Sequence, residues 1–287
     1  MPIDPAIAIG AARPAEDFEW TPSDVLLYHL ALGAGRDPTD PREMRYATED
    51  DLQVLPTFAV VAPSVRATDE PRVEYPGISI DLTRVLHGTQ RIDVHRRLPT
   101  ACKARAVARV KDVWDKGAAA VVVSETVVTD LDGAALWTNT SSIFARGEGG
   151  FGGSRGPSSP SGPPDRDPDT VIVTPTLPQQ ALWYRLLGDR NPLHSRPSFA
   201  EAAGFPKPIL HGLCTYGMVA KALVDELLDG DVTRLSAFEV RFAGVVFPGE
   251  TLRTSVWQSG TGFVLTTTVD EREKAPALSG ASLEVAS

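Results

Sequence analysis

The sequence predicts an α+β fold in which one unit, a helix wrapped by a curved antiparallel sheet, is written twice. Three observations carry this. The Gly-, Pro- and Ser-rich stretch "GEGGFGGSRGPSSPSGPPDRDPDT", residues 147–170, divides the chain nearly in half and has a composition that excludes a packed element. Each half holds β-rich runs punctuated by turn residues. Each half also opens on a short helical segment that ends in Leu-Gly and a polar turn closed by Pro.

The elements follow in order. The first half opens with "SDVLLYHLALGAGRDP", which carries apolar residues at helical spacing and Tyr28. "VLPTFAVVAPSV" comes next, in the place of a central helix but short and interrupted by Pro. Then "KARAVARVKDVWDKG", "AAAVVVSETVVTDLDG" and "AALWTNTSSIFARG" read as an antiparallel meander with Lys-Gly and Asp-Gly turns. After the linker, "PQQALWYRLLGDRNP" repeats the opening segment with Tyr184, and Leu213–Leu228 carries a helical pattern of some four turns. "LSAFEVRFAGVVFPGETLRTSVWQSGTGFVLTTTVDERE" returns the strands. Two such units in tandem can merge their sheets, which is a double hotdog fold with antiparallel sheets around central helices, the first repeat having a truncated helix. The expected boundaries are residues 1–146, the linker 147–170, and residues 171–287. Two independent α+β domains are the alternative, and periodicity alone does not separate the two.

A chain of 287 residues has room for a sizeable core, and its 42% hydrophobic and 23% charged residues are those of a globular protein. The net charge of −9 argues against nucleic acid or an anionic membrane as partner and leaves a small molecule. Cys102 and Cys214 stand in unrelated contexts without metal-type spacing, so neither a disulfide framework nor a metal site is expected. With no secretory leader and no long apolar run, the expected location is the cytoplasm.

The halves differ at one turn. "YRLLGDRNPLHSRPSFAEAAGF" has Asp189, Asn191 and His194 where the first half has "LGAGRDPTDP", without a histidine. A proline-containing turn can aim a carboxylate and an imidazole at one water from opposite sides, the arrangement needed to add water across a double bond. Taken alone, Asp-Arg-Asn-Pro is also a good turn former for local reasons. Gly212 begins the long helix, where unpaired N–H groups and the positive dipole end favour developing negative charge. Such a donor is worth about 3–4 kcal/mol of barrier. His211, next to it, reads as a satisfied, partly buried histidine.

These residues carry a resemblance. "YRLLGDRNPLHSRPSFAEAAGF" with "PKPILHGLCTYG", and further "YPGISIDLTRVLHGTQ", "IFARGEGGFGGSRG" and "VRFAGVVFPGETL", closely resemble the MaoC-like (R)-specific 2-enoyl-CoA hydratases, hydratase 2, in the two-repeat form of peroxisomal multifunctional enzyme type 2. The resemblance implies hydration of a trans-2-enoyl-CoA to the (3R)-hydroxyacyl-CoA. It implies Asp189 and His194 as the catalytic pair, Asn191 as their polar support and Gly212 as the donor to the thioester carbonyl. It also implies His87, Gly88, Lys116 and Phe242 as substrate and CoA contacts. CoA enters only as part of the substrate, with no bound cofactor, and a homodimer is expected. The missing first-repeat helix implies room for a long, branched or ring-bearing acyl chain, as in fatty-acid or sterol side-chain breakdown. A hotdog acyl-CoA thioesterase is the rival enzyme, and a non-enzymatic acyl-CoA-binding subunit the rival without chemistry.

Overall fold

The computed structural model describes residues 3–69, 75–80, 85–157 and 162–286. Residues 81–84 of the stretch containing His87, and residues 158–161 of the linker, lie outside the described residues. Among the described residues, ten strands form one antiparallel sheet: β1 (Glu16–Trp20), β2 (Val85–Val94), β3 (Cys102–Asp115), β4 (Ala119–Asp130), β5 (Ala135–Arg146), β6 (Thr170–Pro175), β7 (Leu235–Phe242), β8 (Thr251–Ser259), β9 (Gly262–Val269) and β10 (Ala275–Val285). Their order is β1-β3-β4-β5-β2-β7-β10-β9-β8-β6. The strands before the linker therefore make one half of the sheet and those after it the other. The halves meet on a single ladder, β2 against β7, from Thr89↔Arg241 to Asp93↔Ala237. This is the doubled hotdog arrangement, with one merged sheet in place of two separate domains.

Period-2 alternation drives these strands, as in β3, where Ala104 and Ala106 face inward and Lys103 and Arg105 outward. Strands β1, β2, β6 and β10 are not announced by turn-bounded β-rich runs in the sequence. β1 and β6 are short edges, and β10 is broken by shifts of register between Pro276 and Leu278 and between Leu278 and Ala281.

Among the described residues there are six α-helices: α1 (Pro5–Ala8), α2 (Pro22–Ala31), α3 (Pro41–Ala47), α4 (Gln180–Tyr184), α5 (Pro197–Ala202) and α6 (Gly212–Leu227). α2 starts on a capping box in which Thr21 and Asp24 bond reciprocally. α6 is the central helix, with Cys214 through Lys221, Leu223 and Val224 all buried. Lys221 is held inside by Glu43 and Asp225, each 2.8 Å from its Nζ, and so ties α6 to α3. In the first half, only the 3₁₀ turns Pro56–Val60 and Ala62–Ser64 stand where a central helix would. Phe58 fills the ground there, its ring edge-on to Trp20 at 5.9 Å and to Tyr28 at 5.6 Å, with Trp137 beyond.

The Gly-rich run is not the loose tether its composition implies. Asp115, at the end of β3, accepts the amides of Gly117 (2.7 Å), Gly150 (2.9 Å) and Gly152 (2.7 Å). These bonds hold its carboxyl down at about 2. Gly149 lies so close to the backbone of Gly117 and Ala119 that a Cβ would meet both carbonyl oxygens at 2.5 Å or less.

One pH prediction follows from the core. His29 is fully buried, its Nδ1 donating to the Tyr46 carbonyl at 3.0 Å and its Nε2 accepting the Leu55 amide at 3.2 Å. Burial lowers it from 6.5 to about 3. Between those values the unfolded chain binds a proton that the folded chain refuses, so stability falls as pH is lowered through that window. From pH 7 to 5.5, His29 alone is expected to remove about 1 kcal/mol. His87, His194 and His211 are lowered as well, so the His29 share is read by urea unfolding of wild type and His29→Gln at both pH values, as the difference between their pH dependences; equal dependences would contradict the assignment.

Candidate active site

The site is built on the turn between α4 and α5. The helix of α4 runs on as the 3₁₀ turn Arg185–Leu187 and ends at Gly188, whose φ of 106° only glycine adopts readily. The Asp189 Oδ1 then accepts the Asn191 amide at 3.1 Å, and the Asn191 Oδ1 accepts the Leu193 amide at 3.0 Å. The local turn chemistry is therefore present in full. It fixes Asp189 at the mouth of the turn and starts the 3₁₀ turn Pro192–His194 that carries the imidazole.

His194 is buried, and its Nδ1 donates to the Ile209 carbonyl at 2.9 Å. That bond leaves Nε2 as the bare nitrogen. Burial, offset in part by the Asp189 carboxylate and the Ile209 carbonyl, holds His194 below the usual histidine value. It is neutral at pH 7.

His211 departs from expectation. It is 1% exposed, and its ring stacks on His194 with centroids 3.7 Å apart. Its Nε2 donates to the Asp189 carbonyl at 3.3 Å, while Nδ1 is buried without a partner. Burial and the adjacent His194 push it well below the ordinary histidine range. On its other side lies Tyr184 at 5.0 Å, whose buried hydroxyl also lacks a partner. Reading the sequence residue by residue missed both, although the Tyr at matching positions of the two halves was a signal.

Ligand atoms of Asp189, His194 and His211 lie within 4.8 Å of one another, a spacing that suggests a cation. The stacked rings are tilted by only 26°, so their lone pairs lie in nearly parallel planes.

Gly212 is the first residue of α6, and its N–H has no acceptor among the described residues. A Cβ there would meet the Phe242 ring at 3.1 Å, so glycine lets that ring lie against the helix start. Phe242 in turn packs on His87 at 4.5 Å between ring centroids, across the seam joining the two halves. Gly88, on β2, occupies the register shift between His87 and Thr89 in the pairing with β5, where a Cβ would meet the Ser142 Oγ at 2.7 Å. That bulge turns His87 toward the seam. The His87 Nε2 is shut away from solvent without a partner, and burial lowers its pKa to about 4. The structure thus gathers Asp189, Asn191, His194 and His211 in one group, and Gly212, Phe242 and His87 in a second. The adjacency of His211 and Gly212 joins the two. Lys116 makes its contacts elsewhere, over the Trp114 ring and to the Arg155 carbonyl.

Comparison with known proteins finds relatives along the whole chain. The family model described as MFE-2 hydratase 2 N-terminal domain matches residues 18–147, and that described as MaoC like domain matches residues 160–276. The enoyl-CoA hydratase ChsH3 of Mycobacterium tuberculosis is 56% identical over 283 residues, 99% of each chain. Among solved structures, a MaoC-like dehydratase from Phytophthora capsici superposes with a TM-score of 0.85 at 28% identity over 96% of each chain. The full-length peroxisomal multifunctional enzyme type 2 of Drosophila melanogaster gives 0.81 at 34% identity, over 96% of this chain and 48% of that one. With a relative of this identity matched along its whole length, the chain belongs to the MaoC-like family in its two-repeat, hydratase 2 form.

Proposed function

We propose that the protein is an (R)-specific 2-enoyl-CoA hydratase, a hydro-lyase that adds water reversibly across trans-2-enoyl-CoA to give the (3R)-hydroxyacyl-CoA. The observation that carries this is the neutral His194 with Nδ1 committed to Ile209 and Nε2 bare, beside the Asp189 carboxylate. Asp189 orients the water, and the His194 Nε2 takes its proton as the oxygen bonds to C3. The electron pair moves to the thioester oxygen, where the Gly212 N–H stabilises the enolate. C2 then takes the proton back from the imidazolium, and the enzyme returns to its starting state. No cofactor enters these steps, and CoA serves only as part of the substrate.

We extend the proposal to a bulky acyl chain, fatty or sterol-derived, for which the 3₁₀ turns stand in place of a first-half helix and the Phe58 ring that occupies that ground would have to give way. A cytoplasmic homodimer is the working expectation, and the described residues include no helix long and apolar enough to cross a membrane. The thioesterase reading is not favoured by the hydratase and dehydratase relatives. Incubation with trans-2-enoyl-CoAs of graded bulk should consume the enoyl absorbance, release no thiol and yield the (3R) product. A (3S) product, or none with any chain, would overturn the proposal.

A further inference from the structure

Lys116, Arg146 and Arg155 collect at one corner of a protein whose net charge is −9. Arg146 ends β5, where it pairs with Ala119 at the start of β4, so it lies beside the Lys116–Gly117 turn. On the adjoining strand β2, Val85 pairs with Ala145 and His87 with Ile143. The corner and His87 therefore share one end of the sheet, two strands apart, about 10 Å across the sheet at the usual strand spacing. The side chains of Arg146 and Arg155 have no ion-pair or hydrogen-bond partner among the described residues, and both are exposed. Arg155 belongs to the Gly-rich run, and only the folding of that run brings it here. The Asp115 amide donates to the Ser154 carbonyl at 2.7 Å, and the Lys116 ammonium donates to the Arg155 carbonyl. Gly156 lies flat on the Trp114 ring, leaving no space for a Cβ.

We propose that Asp115 is a positioning residue for the phosphates of the CoA thioester. By drawing the amides of Gly117, Gly150 and Gly152 onto one carboxylate, it folds the Gly-rich run back on the Lys116 turn. Lys116, Arg146 and Arg155 thereby become one anion-binding corner. This rests on the reading of the substrate as a CoA thioester, and it assigns a role to a carboxylate that itself carries the wrong charge to touch a phosphate.

The test compares wild type, Asp115→Ala and Asp115→Asn with two substrates bearing the same acyl chain, an enoyl-CoA and the phosphate-free enoyl-pantetheine. For Asp115→Ala, KM for the CoA thioester is expected to rise about tenfold or more, the loss of charge-assisted bonds read as affinity, with kcat nearly unchanged. The pantetheine thioester should not distinguish the variants. Asp115→Asn keeps an acceptor oxygen and should recover part of the loss, and it carries the test if the alanine variant does not fold. Calorimetric titration with free CoA gives the same comparison without turnover, so that CoA binding with no hydration would count against the reaction and not against Asp115. An equal loss on both thioesters, or unchanged CoA affinity in both variants, would overturn the role.

Discussion

Replacing Asp189 by Asn or His194 by Gln is expected to leave the fold intact and to cut hydration by about 10²–10⁴-fold. Asparagine keeps the Oδ1 that accepts the Asn191 amide, so the turn survives while the charge beside the water is lost. Glutamine can still donate to the Ile209 carbonyl, but it presents no basic nitrogen in place of Nε2. The two losses should not add, because a residue that orients a water and one that takes its proton act as a unit. Stopped-flow loss of enoyl absorbance, with circular dichroism to check folding, measures both. Near wild-type rates in either variant would sink the assignment.

The second large effect is on stability. Gly188→Ala places a residue at φ 106°, at a cost of about 1–3 kcal/mol for the conformation alone. Its Cβ would also fall 1.9 Å from the Ser64 carbonyl oxygen, in the second of the 3₁₀ turns of the first half. The backbone must move, and the residue that moves with it is Asp189. We expect a melting point lower by at least about 5 °C together with loss of hydration. Gly204→Ala separates the two causes, since Gly204 has φ 85° but nothing within 4 Å of a Cβ. If both variants melted together, the close approach of Ser64 would contribute nothing.

How far the sequence spoke depended on how local the physics was. The β3–β5 meander, α2 and α6 were legible because periodicity and turn chemistry are written within a dozen residues. β1 and β6, short strands at the sheet edges, offer no such period, and β2 gains its place only by pairing with β7. At the site, Asp189, Asn191 and His194 stood out because one repeat has them and the other does not. His211 did not, since its stacking on His194 joins residues far apart in the chain across a turn and a helix start. Asp115 was hidden for the opposite reason. Glycine-rich composition speaks for freedom, and a single carboxylate with three amide partners removes it.

The β2–β7 ladder makes the molecule a dimer whose members cannot part. Two identical subunits meeting on such a seam must carry two equal sites or none, because every substitution appears in both. Once the copies are joined in one chain, each is free to drift alone. Covalent linkage thus permits an asymmetric site, with Asp189 and His194 in the second half and His87 of the first half reaching Phe242 across the seam.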